Sequence, residues 1–200
     1  MRSRFDAGSA SGRLEAGHRI VLGSGGFTPY AAGQLTTLFL PAYAEQVVLP
    51  EIRKGLAQSG RKREAFEISG GGFIVTGPDE ATVAKGRERV RQRVGFYGST
   101  PAYAPVLELH GLGDLAKKLN QLVRDGHWDK LAGQIPDDVL DLFAAVGTFE
   151  ELAEKVANRF GGISDAIGFE ASPQADDRAI GDLVGALRKI PSPFAGYARD

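Results

Sequence analysis

Two strand-like segments, residues 66–75 and 163–169, flank a long stretch whose apolar residues recur at helical spacing. A tight turn would pair such strands antiparallel, whereas a crossover of this length brings the second strand back parallel to the first. With the helical pattern beyond residue 169, the order is β-α-β-α, which predicts a parallel sheet with right-handed crossovers. Parallel strands are covered on both faces in almost every stable fold. A chain with two or three of them must therefore find cover for two faces and two edges, and a shortfall would expose an apolar sheet face and unpaired backbone.

The pattern along the chain fills in this outline. Residues 1–19 are polar and rich in Ser, Gly, Ala and Arg, with no period of 2 or 3.6, and read as loop or disorder. Ile20, Val21 and Leu22 suggest a short strand running into Gly23, Ser24, Gly25 and Gly26. Such a glycine-rich turn can bring backbone N–H groups to a phosphate. A dinucleotide fingerprint would need a third glycine where Thr28 stands, and Pro29 comes at once after it, so a plain turn is the simpler reading.

Residues 41–58 read as helix, with Tyr43, Val47, Val48, Ile52 and Leu56 on one face, a second helical piece starting at Pro50, and Gly60 as C-terminal cap. Gly70, Gly71 and Gly72 interrupt the strand at 66–75 and predict a bulge. Val83, Arg87, Val90, Val94 and Tyr97 define one amphipathic helix; Leu112, Leu115, Leu119, Leu122 and Val123 define a second, closed by Gly126. A third is bracketed by Pro136 and Gly147, with Val139, Leu140, Phe143 and Val146 inward. Thr148 and Glu151 form a capping box for a fourth, lined by Leu152, Val156 and Phe160. Ile180, Leu183, Val184, Leu187 and Ile190 give the last, stopped by Pro191, and the tail to Asp200 reads as loose.

Composition narrows the function classes. A formal charge of −1 supplies no field for nucleic acid or an anionic membrane, and the absence of cysteine removes disulfides, thiolate nucleophiles and cysteine-held metals. The three histidines show no metal-ligand spacing, so no metal site is expected. No window approaches the roughly 20 apolar residues of a membrane span, and the N-terminus lacks the apolar core of a secretory signal, which makes cytoplasm the expected location. No Gly-x-Ser-x-Gly elbow supports a serine nucleophile.

Five short motifs occur in a fixed order: Gly98-Ser99-Thr100-Pro101-Ala102-Tyr103, His110-Gly111, Gly126-His127-Trp128, Ile135-Pro136-Asp137-Asp138 and Val146-Gly147-Thr148. As an ordered set they resemble the C-terminal part of luciferase-like monooxygenases, nearest the coenzyme F420-dependent oxidoreductases, over roughly residues 41–187. The resemblance implies an incomplete (β/α)8 barrel of α/β class carrying a helical insertion, with the two strand-like segments as its last two strands. It also implies hydride transfer between F420 and an organic small molecule; FMN with monooxygenase chemistry is the alternative. Residues 1–35 match poorly, as a displaced start, a frameshift or a truncation would produce; residues 36–190 form the barrel part and 191–200 a tail. Because such a barrel needs about 250 residues and eight strands, completion by another chain or by a homo-oligomer is expected. A non-catalytic remnant or interaction module is the reading from a different class.

Barrel chemistry sits at the C-terminal ends of strands, which directs attention to Thr76 and Glu170. Thr76 offers a ligand hydroxyl, although Thr is a common turn or cap residue; Glu170 offers a carboxylate, although a charge after a strand is usually solvated. His110 titrates near neutrality and would suit a proton shuttle, with a helix-end structural role as the plainer reading. Tyr103 and Trp128 could stack on a substrate ring or simply pack. Asp137, Asp138 and Asp141 read as first-turn acids favoured by the helix dipole.

Overall fold

The computed structural model describes residues 40–70, 72–169 and 175–195. In chain order, a helical turn α1 (Pro41–Tyr43) runs through a π turn (Ala44–Val48) into α2 (Leu49–Ser59). The widened turn lies just ahead of Pro50, whose ring would otherwise meet the carbonyl four residues back. Strand β1 (Phe73–Gly77) leads into α3 (Glu80–Gly98), then α4 (Ala104–Glu108), α5 (Gly113–Arg124) and α6 (Asp137–Phe143). Strand β2 (Ala144–Thr148), α7 (Phe149–Phe160) and α8 (Asp177–Leu187) complete the order.

The β-α-β-α order and the parallel pairing are as expected, but the second strand is not where the sequence pattern put it. β1 pairs in parallel with β2, Phe73 opposite Ala144 through Gly77 opposite Thr148. The helix begun at Asp137 therefore stops at Phe143 instead of running to Gly147, and Val146 belongs to a strand. Residues 163–169 are not a strand; their one ladder contact is an isolated parallel bridge, Ala166 with Ser69. The strand expected at 66–75 is regular only from Phe73, with Gly70 at φ +138° at the interruption the glycines foretold. Val47, expected inside, is 37% exposed. Gly60 caps α2 at φ +67°, as its position after the helical pattern predicts.

Cover for the two-stranded ribbon comes from the chain itself. The register places Phe73, Val75 and Ala144 on one face, packed with Val83, Val90 and Val94 of α3, Leu119 of α5 and Leu140 of α6. The opposite face, Ile74 and Ala145, packs with Leu152, Val156 and Phe160 of α7 and with Val48, Ile52 and Leu56. An exposed apolar sheet face does not arise, because α3 and α7 lie on opposite sides of the ribbon.

Residues 191–195, expected to be loose, are pinned. The Asp165 carboxylate, 1% exposed, accepts from Arg63 Nη2 (2.8 Å), the Ile68 amide (2.6 Å), Ser192 Oγ (2.7 Å) and the Phe194 amide (3.2 Å). The Ala195 amide adds a bond to the Glu64 carbonyl at 2.9 Å. One buried carboxylate thus ties the approach to β1, the bridge segment and the C-terminal stretch together.

Candidate functional site

The C-terminal ends of β1 and β2 lie side by side, Thr76 opposite Gly147 and Gly77 opposite Thr148. Small residues make this end possible. A Cβ on Gly77 would stand 2.5 Å from Thr82 Cγ2, so only glycine lets α3 start so close to its strand. A Cβ on Gly147 would come within 3.1 Å of Glu151, which folds back so that its Oε2 accepts from the Thr148 amide (2.9 Å) and hydroxyl (3.2 Å). These bonds hold the Glu151 carboxyl below its ordinary range, with the Thr148 amide the leading cause. At the start of α3, Asp79 accepts from the Thr82 amide at 2.7 Å, and that bond likewise lowers its pKa. Both acids are occupied as caps.

Thr76 is different. It is buried within β1, Asp79 carries out the capping, and Thr76 Oγ1 has no hydrogen-bond partner among the described residues. The turn or cap role does not apply. A buried unpaired hydroxyl costs about 1–3 kcal/mol, so a ligand group bonding to it would recover that cost. For a deazaflavin or flavin, Thr76 fits as one hydrogen-bonding contact, a fraction of the contacts such a cofactor needs, since the space beside Gly77 and Gly147 is taken by Thr82 and Glu151. A cavity of about 60 Å³ lined by Val156, Phe160, Ser164, Asp165 and Leu187 lies elsewhere, between α7 and α8. It is far below the ~300–1,000 Å³ of ordinary cofactor pockets.

The other candidates do not converge on Thr76. α3 runs antiparallel to β1: Thr82 meets Gly77, Gly86 meets Val75, and Arg93 lies 4.8 Å from the Phe73 ring centre. The segment after α3 therefore starts at the N-terminal end of the strands. Tyr103 packs edge-on to Tyr97 (5.7 Å), Tyr97 contacts Phe96 (5.5 Å) and Phe73 (6.1 Å), and Phe96 contacts Trp128 (6.0 Å). Tyr103 and Trp128 thus terminate one aromatic chain, with Trp128 48% exposed. His110 lies in the turn after α4, where burial first and the Arg159 charge second lower its pKa. Asp137 and Asp141 are held by Arg87 at 3.2 and 2.9 Å, and Asp137 also by Arg91, an α3–α6 network. Gly23, Ser24, Gly25, Gly26 and Glu170 lie outside the described residues.

Sequence reasoning passed over Arg159 and Asp165. Arg159 sits between the core positions Val156 and Phe160 of α7, where an arginine ordinarily reads as a solvated flank, yet burial pushes its pKa down to about 10. Asp165 fell inside a segment read as strand, and nothing local marks it as a hub.

Known proteins bear on this geometry. An uncharacterized Mycobacterium tuberculosis protein, Rv1360, is 42% identical over 125 residues, covering 62% of this chain and 37% of that protein. The 5,10-methylenetetrahydromethanopterin reductase of Archaeoglobus fulgidus is 30% identical over 118 residues, 56% of this chain and 34% of the reductase. The chain spans about a third of the length of these relatives. In three dimensions it is similar to the coenzyme F420 dependent tetrahydromethanopterin reductase of Methanopyrus kandleri, with a TM-score of 0.57 at 21% identity, over 78% of this chain and 44% of that one. That likeness gives the fold, an incomplete (β/α)8 barrel. The luciferase-like monooxygenase pattern runs from residue 28 to residue 164, well over half of the chain, and on that extent the protein belongs to this family.

Proposed function

We propose that this chain supplies two adjacent strand ends to an oxidoreductase site that uses coenzyme F420 and a small organic substrate. The observation that carries the reading is the buried, unpartnered Thr76 hydroxyl at the C-terminal end of β1, where barrel enzymes place their chemistry. Support comes from two relatives, whose names include methylenetetrahydromethanopterin reductase and coenzyme F420. When bound, F420 carries the hydride; the protein supplies binding, orientation and exclusion of water. Thr76 would hold a polar edge of the cofactor, and the remaining contacts would come from a second copy or a completing chain.

A second reading rests on the packing of Ile74 and Ala145 against α7 and the 44–56 helical stretch. In a closed barrel one face of every strand looks inward, whereas here helices cover both. That favours an interaction module lacking catalysis.

Fluorescence titration of the purified 200-residue chain with F420, and with FMN in parallel, separates the readings. Saturable F420 binding near micromolar, about −8 kcal/mol, weakened several-fold by Thr76→Val, supports the cofactor site. Preference for FMN would move the chain to the flavin branch. Binding of neither overturns the cofactor reading and leaves the module.

A further inference from the structure

We propose that Phe96, Trp128, Arg89 and Arg93 form a docking patch for a short acidic protein segment that carries an apolar anchor. The rings of Phe96 and Trp128 lie 6.0 Å apart, tilted by 31°, yet they remain 47% and 48% exposed. Both are held in place by their neighbours. Phe96 meets Tyr97 edge-on at 5.5 Å, and Tyr97 meets Tyr103 edge-on at 5.7 Å. A Cβ on Gly95 would stand 3.0 Å from Leu131, so the glycine lets the segment bearing Trp128 close against α3. Rings fixed before a partner arrives lose little freedom on binding.

The charge beside the rings selects the occupant. Arg89, Arg93 and Phe96 are all exposed, and their spacing on α3 makes Arg93 the helical neighbour of both others. The Arg93 guanidinium carbon lies 4.8 Å from the Phe73 ring centre, and Phe73 meets Tyr97 at 6.1 Å, so Arg93 continues the aromatic row. Neither arginine pairs with a carboxylate among the described residues: Glu88 serves Arg91, while Asp137 and Asp141 serve Arg87 and Arg91. Asp129 and Lys130, next to Trp128, cancel in formal charge. The patch is therefore positive as well as aromatic. Tryptophan and arginine are the residues that most often anchor protein interfaces, and the planar guanidinium fork matches a carboxylate. A second copy setting this patch against itself would bring its arginines together, which like-charge repulsion opposes.

Trp128 is the one tryptophan of the 200-residue chain, so its emission reports on the patch directly. The test is a fluorescence titration of the whole chain with the peptide acetyl-Glu-Glu-Leu-Phe-Glu-Glu-amide. Two control peptides carry lysine in place of each glutamate, or alanine in place of the leucine and phenylalanine. The expected result is a saturable blue shift with the acidic peptide, none with the lysine peptide, and binding weakened ~tenfold or more with the alanine peptide. Arg93→Gln should weaken binding severalfold and flatten its dependence on salt, and Phe96→Ala should weaken it without changing that dependence. Should Arg93→Gln fail to fold, Arg89→Gln, on the exposed side of the same helix, takes its place. Equal shifts with the lysine peptide, no saturable shift, or unchanged affinity in the variants would overturn the proposal. So would a blue shift that grows with protein concentration in the absence of peptide, because it would put a second copy on the patch.

Discussion

Thr76 and Asp165 show how differently two buried polar side chains can act. Thr76 presents a hydroxyl with no partner among the described residues, so Thr76→Val, close in shape, removes a desolvated group and nothing else. Relief of an unpaired hydroxyl is worth about 1 kcal/mol or more, and thermal unfolding should show Thr76→Val at least as stable as the parent. A substantial loss of stability would mean that the hydroxyl is already bonded. Combined with weaker F420 binding, the gain would mark a residue retained for a ligand. Asp165 is the reverse case: four donors converge on a carboxylate that is 1% exposed. Asp165→Ala leaves Arg63 with only the Phe66 carbonyl and frees residues 192–194, and unpairing the part-buried Ile68 amide costs about 1–3 kcal/mol at most, with the bond from the Phe194 amide lost besides. Denaturant unfolding gives the loss, and limited proteolysis near Ser192 should be faster in the variant. Unchanged values in both would remove the carboxylate from its place as hub.

Among the elements, α3 and α6 are joined by Arg87 and Arg91 reaching Asp137 and Asp141, with Arg91 also donating to the Ile135 carbonyl. The bond from Arg91, then that from Arg87, holds the Asp137 carboxyl below its ordinary 3.8. A carboxyl whose folded pKa is depressed gives stability that is present above the unfolded value and lost as pH falls through the folded one. Acid unfolding monitored by circular dichroism should therefore have a shallower pH dependence below about pH 4 in Asp137→Asn than in the parent. Equal slopes would show the pair to be equally populated in the unfolded chain. The helices themselves were legible because Val83, Val90 and Val94, or Leu152, Val156 and Phe160, repeat at a period that only a helix satisfies. β2 was not. Ala144 and Ala145 continue the preceding helical pattern and carry high helix propensity, and what makes them strand is pairing with Phe73 and Ile74, distant in sequence. Residues 163–169 look strand-like for their Ile and Phe, but their ladder contact is confined to the Ser69–Ala166 bridge. At the site, the position of Thr76 at a strand end was readable from sequence, whereas its missing partner and the burial of Arg159 depend on tertiary packing.

For the whole molecule, the unmet demand is at the edges of the ribbon rather than its faces. Helices on both sides satisfy the apolar faces of β1 and β2, yet among the described residues the sheet has two strands and therefore two outer edges. Unpaired strand edges are templates for another strand, and a barrel of this family type removes them only by closing the circle. Two edges on one small ribbon give a second copy, or a chain bearing further strands, a place to add by backbone pairing. The isolated chain should accordingly self-associate as concentration rises, with a Tm that rises in step, since association stabilises the folded state by mass action. Sedimentation velocity over a hundredfold concentration range, with Tm measured at each point, checks both. A compact monomer with a sharp, concentration-independent transition would show that residues of the same chain, outside those described, already cover the edges. The cofactor site would then have to be built within one chain, and Thr76→Val should weaken F420 binding equally at every protein concentration. Association-linked binding would instead show F420 affinity rising with protein concentration, placing the missing contacts on the partner.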